Sequence, residues 1–250
     1  MGADRAVGGG VRVLILGIET ATEQVSVAIG GHEGVLGMVE VCRGRRHAET
    51  LAPAIEFLCR QADVALSEIS VVAVDVGPGL FTGMRVGLAA GKAFAQALRV
   101  PMIPMSSLDL LAFPLRHSVR TVVAVIDARK GEVFFAFYRA VQGGVQRVSE
   151  PRCGRVDDLV ADVMARGDDV LFVGDGALRY RDEIGSEVRG AFAEQFMSRP
   201  SAGTLVQLAH PRALREEWVN PWEIQPMYLR LPDAQINWST RAGSGPAGTS

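Results

Sequence analysis

Cysteine, lysine and long apolar runs are all scarce in this 250-residue sequence. The three cysteines, Cys42, Cys59 and Cys153, form no CxxC pair, so neither a zinc knuckle nor a thioredoxin-type site is indicated. An odd and sparse set of cysteines is typical of a reducing compartment. No apolar run approaches the roughly 20 residues of a transmembrane helix, and the N-terminus lacks a signal-peptide layout. We therefore expect a cytoplasmic protein without a membrane anchor.

The charge balance excludes a second class of protein. The sequence has 24 arginines but only two lysines, Lys92 and Lys130, and its formal net charge is −2. A nearly neutral chain is a poor candidate for a protein whose whole surface binds nucleic acid. With 48% apolar and 22% charged residues, the composition is that of a globular protein with one large core or two compact lobes.

Common catalytic motifs are also missing. The Gly91-Lys92 pair is not a Walker A loop, because Val86 and Ala93 stand where that loop needs Gly and Ser or Thr. No GxGxxG stands between a predicted strand and a predicted helix, and there is no GxSxG. None of the histidines pairs with another at metal-ligand spacing: His32, His47, His117 and His210. We interpret His47 as a solvated or capping residue, and the arginines at 43, 45 and 46 as a solvated loop, although contact with phosphates is left open.

The pattern of apolar residues along the chain predicts an α/β protein. VRVLILGI and VSVAIG read as a hairpin of two strands, and residues 47–62 read as an amphipathic helix with Leu51, Ile55 and Leu58 on one face. A strand–turn–helix unit follows, and VVAVIDARKGEVFFAFYR then repeats the opening hairpin. The first strand of each hairpin ends on an acid, Glu19 or Asp127. This repetition suggests a duplicated lobe; the alternative is that any two hairpins look alike.

Glycines are concentrated between a strand and a helix in GPGLFTG, residues 77–83. Such a turn either brings backbone N–H groups close to an anion or is simply a tight connection. Gly83, Gly87 and Gly91 then recur every four residues along the helix and make a strip of small side chains. Two explanations fit this strip, because the helix either packs tightly on its own sheet or pairs with another subunit.

Several segments in order together resemble one family. These segments are ILGIETATEQVSVAI, RRHAETLAPAIEFL, GPGLFTGMRVGLAAGKAFAQAL, VPMIPMSSLDLLA and VIDARKGEVFFAFY. They are similar to the TsaB (YeaZ) family over roughly residues 11–140, and more weakly in VGDGA and PMYLR. The resemblance implies an actin/Hsp70-like (ASKHA) fold of two RNase H-like lobes. We expect a flexible leader at 1–10, lobes at 11–105 and 106–239, and a disordered tail at 240–250.

The resemblance also implies a role. Proteins of this family are non-catalytic partners in threonylcarbamoyl transfer to N6 of the adenosine 3′ to the anticodon, in tRNAs that read ANN codons. The catalytic paralogue, TsaD, has two metal-binding histidines where this chain has Ser107 and Leu111, so no metal site is expected. The implied partners are TsaD, the ATPase TsaE, a second copy of the chain when it is alone, and tRNA only through the complex. The family has also been labelled peptidase M22-like, but no peptidase site is visible.

Two groups of site residues follow from the resemblance. The first is a degenerate nucleotide cleft, with no cofactor expected but weak ADP or ATP binding left open: Glu19, Thr20, Thr22, Gly77, Gly79 and Asp127. The second is a partner interface on two helices, residues 48–62 and 80–98: Leu51, Ile55, Leu58, Gly83, Arg85, Gly87 and Gly91. The alternative function is a small-molecule kinase or ATPase of the same fold, which would use Asp127 or Asp75.

Overall fold

The computed structural model describes residues 13–44 and 46–230 of the chain. The predicted leader at 1–10, the predicted tail at 240–250 and the middle arginine of the 43/45/46 cluster lie outside the described residues.

The first sheet has five strands in the order β3-β2-β1-β4-β5. These strands are β1 (Leu14–Glu19), β2 (Gln24–Gly31), β3 (Gly34–Cys42), β4 (Val71–Asp75) and β5 (Met102–Met105). β1, β2 and β3 pair antiparallel, whereas β4 and β5 continue the sheet parallel to β1. The opening hairpin predicted from the sequence is confirmed. β3 was not predicted from the sequence.

The second sheet repeats this arrangement. Its strands are β6 (Thr121–Arg129), β7 (Glu132–Val141), β8 (Gly144–Arg147), β9 (Arg152–Arg155), β10 (Val170–Val173) and β11 (Gly190–Phe192). The order is β8-β7-β6-β10-β11, with β9 also paired to β7. Again an antiparallel hairpin is extended by parallel strands on the side of its first strand. The two sheets therefore share one topology, which confirms the duplicated lobe.

Helices cover both faces of the first sheet. α1 (His47–Gln61) and α2 (Phe81–Leu98) pack on one face, and α3 (Ser107–Ala112) lies between the sheets. The other face is covered by α7 (Ala202–Leu214), although this helix lies in the range predicted for the second lobe. Ser201 caps α7, because its hydroxyl accepts a hydrogen bond from the backbone N–H of Gly203. The predicted boundary at 105/106 stays a prediction.

The second sheet is covered on one face by α4 (Val156–Arg166), α5 (Asp175–Arg179) and α6 (Arg181–Glu187). Short 3₁₀ turns at Leu66–Glu68, Phe113–Leu115, Gln195–Met197 and Pro221–Glu223 complete the regular structure of the described residues. The segment around Pro221–Glu223 is otherwise irregular, as its prolines predict.

Two further expectations concern the surface. Across residues 13–44 and 46–230, no helix combines the length and apolar character that a bilayer crossing requires. Cys42, Cys59 and Cys153 are free thiols.

Apolar burial on both faces of both sheets, at roughly 25 cal/mol per Å² removed from water, is the main force that holds these layers together.

Candidate functional site

Four acidic residues stand at the carboxyl ends of strands, where the two sheets approach each other. Glu19 ends β1 and Asp75 ends β4 in the first sheet. Asp127 lies near the end of β6, and Asp175 begins α5 directly after β10. The pairs match by position, since β1 and β4 correspond to β6 and β10 in the shared topology. In open α/β sheets this is the edge where ligands usually bind.

The first pair is sealed inside the protein. Glu19 and Asp75 are 0% and 1% exposed. One oxygen of Glu19 accepts a hydrogen bond from the Ala21 N–H (2.7 Å), and one oxygen of Asp75 accepts bonds from the Gly77 N–H and the Ser107 hydroxyl (both 2.7 Å). The remaining oxygens, Glu19 Oε2 and Asp75 Oδ2, have no hydrogen-bond partner among the described residues.

Burial changes the proton affinity of both carboxyls. It raises the pKa of Asp75 to about 7. Burial, followed by the neighbouring charge of Asp75, raises the pKa of Glu19 well above its usual range. Two adjacent buried carboxyls cannot both ionise cheaply, so this pair retains a proton near neutral pH. A protonated, enclosed pair does not offer the open, charged carboxylates that a Mg²⁺–phosphate site uses.

In the second pair, the carboxylate of Asp127 is held by two arginines. Asp127 accepts a hydrogen bond from the Arg129 N–H (2.9 Å), and its other oxygen lies 3.3 Å from the Arg129 guanidinium and 3.4 Å from that of Arg179. Arg129 also makes an ion pair of 2.5 Å with Glu23, from the turn between β1 and β2. The corresponding turns of the two lobes are thus joined across the cleft.

The other predicted cleft residues make contacts within the fold. The Thr20 hydroxyl donates to the Gly83 carbonyl (2.8 Å), and the Thr22 carbonyl lies 2.8 Å from His47 Nε2. A Cβ on Gly79 would lie 2.2 Å from the Ala21 carbonyl oxygen. The close approach that Gly79 permits is therefore made by the chain's own backbone. Nucleotide binding by the six predicted cleft residues stays a prediction.

The structure contradicts the interpretation of His47 as a solvated or capping residue. This histidine is buried (3% exposed) at the start of α1 and bonds to the first-lobe turn through Thr22, so it is neither solvated nor a helix cap.

The positions compared with the metal-binding histidines have other roles. The Ser107 hydroxyl donates to Asp75, and Leu111 is buried between the sheets, where its side chain would be 3.1 Å from a Cβ on Gly174. Among the residues that the structure describes, no three His, Cys, Asp or Glu side chains are grouped so that they could hold a metal ion.

The predicted interface requires a correction. Leu51, Ile55 and Leu58 are each 3% exposed and belong to the core between α1 and the first sheet. The glycine strip of α2 also faces inward. A Cβ on Gly83 would lie 2.1 Å from the Thr20 carbonyl oxygen, and one on Gly87 would lie 2.2 Å from the Thr20 hydroxyl.

The third glycine of the strip, Gly91, likewise faces the sheet, where a Cβ would lie 3.0 Å from the Met102 side chain. Of the two explanations for the strip, the structure supports close packing of α2 on its own sheet. All six residues are buried against their own sheet, so the outward surface of these helices is made by other side chains.

The outward face of α2 carries a different strip. Ala89, Ala93 and Ala97 are exposed at four-residue spacing, and Arg85 is the only charged residue among the exposed positions of this helix. On α1, the Phe57 ring is 47% exposed. Surface helices normally present several charged side chains to water, so an outward face of small residues with a single charge, Arg85, is unusual.

Arg85 remains an interface candidate. Its guanidinium lies 3.7 Å from the centre of the Phe81 ring, and its Nε donates to the Tyr228 hydroxyl (2.9 Å). The side chain is thereby fixed over the first turn of α2, next to a cavity of about 180 Å³ that Phe81, Asp127, Arg129 and Tyr228 help to line.

Sequence reasoning missed the residues that close the cleft and the strip that faces outward. No motif marks Glu23 and Arg129 as partners, because they are far apart in the chain. The alanine strip had a visible signal, since Ala89, Ala93 and Ala97 share the four-residue spacing of the glycines. Periodicity identifies both strips but does not tell which one faces the sheet.

Comparison with known proteins places this geometry in a family. A family model described as "TsaD: tRNA N6-adenosine threonylcarbamoyltransferase" matches residues 23–238. The chain is 26% identical to "tRNA threonylcarbamoyladenosine biosynthesis protein TsaB" of Bacillus subtilis, over 90% of this chain and 97% of the relative. It is 29% identical to the protein of the same name in Escherichia coli, over 86% and 94%.

A solved structure, "YeaZ from Pseudomonas aeruginosa", has a TM-score of 0.73 at 27% identity and covers 87% of this chain and all of that one. A second Pseudomonas aeruginosa structure, described as similar to peptidase YEAZ, has a TM-score of 0.77 at 28% identity. Together with the repeated sheet topology, these matches confirm the expected ASKHA fold. The chain belongs to the TsaB (YeaZ) family, within the wider group that the threonylcarbamoyltransferase model describes.

Proposed function

We propose that this chain is a non-catalytic subunit of the cytoplasmic system that makes threonylcarbamoyladenosine in tRNA. It pairs with a TsaD-type transferase, is joined by a TsaE-type ATPase, and forms a homodimer when alone. The transferase attaches the threonylcarbamoyl group to N6 of the adenosine 3′ to the anticodon, in tRNAs that read ANN codons. This chain meets tRNA only within the complex, and it holds the transferase in an active arrangement.

The observation that carries this proposal is the outward face of α2. Ala89, Ala93 and Ala97 leave a flat strip that another helix can approach closely, as small residues at four-residue spacing allow. Phe57 on α1 and Phe81 at the start of α2 add exposed aromatic surface on the same pair of helices. Aromatic side chains are enriched in the central part of protein interfaces, whereas charged side chains are depleted there.

The state of the cleft supports a non-catalytic role. Glu19 and Asp75 are enclosed, and the carboxylate of Asp127 is held by two arginines. The alternative, a kinase or ATPase, needs an accessible carboxylate to bind Mg²⁺ or to activate the acceptor. Turnover of ATP by the isolated chain that is lost in Asp127→Ala would favour that alternative.

The test of the interface uses a charge on the exposed strip. We expect Ala93→Glu to weaken both the homodimer and the heterodimer with the TsaD protein of the same organism by more than about tenfold, because a carboxylate would be buried without a partner. Multi-angle light scattering of the chain, alone and mixed with the transferase, measures this.

The matched control is Ala161→Glu, which makes the same change at an exposed helical position of the second lobe. It should leave both assemblies intact. If the parent chain stays monomeric and does not bind the transferase, the proposed pairing is wrong. If both variants behave alike, the outward face of α2 is not the interface. A large residue in the glycine strip, such as Gly87→Leu, would not test the interface, because its side chain would enter the core between α2 and the sheet.

A further inference from the structure

Arg85 begins the row of the α2 surface that Ala89, Ala93 and Ala97 continue. All four residues are exposed and recur every four positions, so they form one ridge of the helix surface. Arg85 is also the only charged residue among the exposed positions of α2. A partner that covers the alanines therefore also meets the guanidinium.

Two aromatic rings hold this guanidinium in place. Its central carbon lies 3.7 Å from the centre of the Phe81 ring, which is a cation–π contact, and its Nε donates to the Tyr228 hydroxyl (2.9 Å). The Phe81 and Tyr228 rings lie 5.3 Å from each other, centre to centre. Because the planar group is already oriented, it loses less conformational freedom when it binds a planar anion.

No acidic side chain pairs with Arg85 within the part of the chain that the structure describes. Its two terminal nitrogens make no hydrogen bond there, and α2 contains neither aspartate nor glutamate. When a partner covers the outward face of α2, the guanidinium is removed from water, and a buried charge without a counter-charge is strongly destabilising. The partner must therefore supply an acceptor, and a carboxylate matches the parallel N–H groups of a guanidinium.

The exposed surface of α1, α2 and their cap residues is positive, although the whole chain has a net charge of −2. Its exposed charged residues are Arg46, Arg60, Arg85 and Arg99, against Glu49 and Glu56. Glu49 already lies 4.0 Å from Arg46 of its own helix start. The two sides of a symmetric dimer are identical, so a second copy brings the same positive surface. Its α2 offers Arg85 no acid, and like charges that face each other oppose association.

We propose that Arg85 binds a carboxylate of the transferase, and that this contact makes the chain prefer the transferase to a second copy of itself. The inference rests on the proposed pairing through α2; it adds which residue distinguishes the two partners and which chemical group the transferase presents. Specificity is a difference of affinities, and it is strengthened by a contact that favours one partner and disfavours the other. Arg85 does both, because its charge is paired in the heterodimer and unpaired in the homodimer.

The test measures both assemblies with one variant. Arg85→Gln removes the charge and keeps a polar side chain at an exposed position. We expect the dissociation constant of the heterodimer with the TsaD protein of the same organism to rise by at least about tenfold. The homodimer should keep its affinity or become tighter. Sedimentation equilibrium measures the homodimer, and biolayer interferometry on immobilised transferase measures the heterodimer.

Tyr228→Phe tests whether the position of the guanidinium matters. This variant keeps the ring beside Phe81 and removes only the hydroxyl that accepts from the Nε of Arg85. The heterodimer should weaken by about fivefold, which corresponds to the loss of one hydrogen bond, and the homodimer should not change. The matched control is Arg189→Gln, which removes an exposed arginine from the second lobe and should leave both dissociation constants as in the parent.

The proposal is wrong if Arg85→Gln weakens the two assemblies equally, since the side chain would then only shape the surface, or if neither assembly changes. It is also wrong if Arg85→Gln and Glu56→Gln both weaken the homodimer and their effects are not additive, because the copy would then supply the carboxylate.

A third contrary result is that Arg85→Gln weakens only the binding of tRNA to the assembled complex, because the guanidinium would then bind a phosphate. All of these results would leave the pairing with the transferase intact. A parent chain that does not bind the transferase at all would instead refute the proposed function, and this inference with it.

Discussion

At the scale of single residues, the buried carboxyl pair is the most unusual feature of the protein. Glu19 and Asp75 end adjacent parallel strands, so their side chains are forced into the same enclosed space. Each has one oxygen that is satisfied by a local N–H and one that has no partner among the described residues. Such a pair is tolerated because it holds a proton, and this makes stability depend on pH.

We expect the protein to lose stability as the pH rises from about 4 to about 7. The pKa of Asp75 is raised from its ordinary 3.8 to about 7, so the folded state keeps a proton that the unfolded chain has released. Asp75→Asn keeps an acceptor for Gly77 and Ser107 and removes the titration. The slope of at most about 1.4 kcal/mol per pH unit should therefore become smaller in this variant.

Urea unfolding at several pH values between 5 and 8 measures this slope. Glu56→Gln is the control, since it removes an exposed carboxyl from α1 and should leave the profile as in the parent. If Asp75→Asn and the parent have parallel profiles, Asp75 does not hold the proton.

At the scale of elements, α2 shows how one helix serves two purposes. Its inward glycines let the helix approach β1 so closely that backbone and side chain of Thr20 occupy the place of a Cβ. Its outward alanines leave a smooth exposed face. Glycine in a helix costs about 1 kcal/mol relative to alanine, and the close packing on the sheet offsets this cost.

We expect Gly83→Ala to destabilise the protein by about 1–3 kcal/mol, although alanine favours the helix. A Cβ at this position would lie 2.1 Å from the Thr20 carbonyl oxygen, so the helix or the strand must move. The difference is measured as the change in urea midpoint at constant m-value.

Gly185→Ala in α6 is the matched control, because a Cβ there has no atom within 4 Å and the backbone is helical. It should be neutral or stabilise by up to about 1 kcal/mol. Equal stability of Gly83→Ala and Gly185→Ala would contradict the close contact between α2 and the turn after β1.

At the scale of the whole molecule, one ion pair joins the corresponding turns of the two lobes. Arg129 pairs with Glu23 of the first lobe and with Asp127 of the second. Both partners of the inter-lobe pair are about half exposed (side chains 45% exposed), so the pair adds no more than about 1 kcal/mol to stability. We expect its consequence to be positional, because it joins the two lobes across the cleft.

Glu23→Gln should widen the distribution of distances between the lobes while lowering global stability by less than about 1 kcal/mol. Spin labels placed on exposed positions of α1 and α4 report this distance distribution. High salt should also widen the distribution of inter-lobe distances in the parent protein, because screening weakens exposed ion pairs.

The control for this change is Asp169→Asn, which removes an exposed ion pair with Arg120 that lies entirely within the second lobe. It should leave the inter-lobe distances unchanged. An unchanged distribution in Glu23→Gln would show that the helices between the sheets, and not this ion pair, set the cleft.

Much of the architecture could be predicted because it depends on local patterns. The two hairpins have alternating or continuous apolar residues with turns between them, and α1 has apolar residues on one face, so the sequence specifies them directly. β3 was missed because an edge strand is half exposed and shows no strong apolar pattern. β9 and β11 have only four and three residues, and such short strands leave little periodicity to detect.

The candidate site was predicted in part. Glu19 and Asp127 were found because each ends the first strand of a hairpin, and Asp75 because it ends a strand before a glycine turn. The protonation of Glu19 and Asp75 and the ion pairs of Asp127 were not predictable from the sequence. Burial, the unpartnered oxygens and the arginines around Asp127 all depend on residues that are distant in the chain. The same limit applied to Leu51 and Gly87, whose spacing was recognised but whose orientation was not.

The sequence by itself determined the family, the duplicated lobe and the absence of the TsaD histidines, because each of these is written in residue types and their spacing. The tertiary structure alone decided which face of α2 is exposed, which carboxyls retain a proton and how the cleft is closed. Those properties depend on which distant segments meet, since burial, electrostatic coupling and contact distance exist only once the chain is folded.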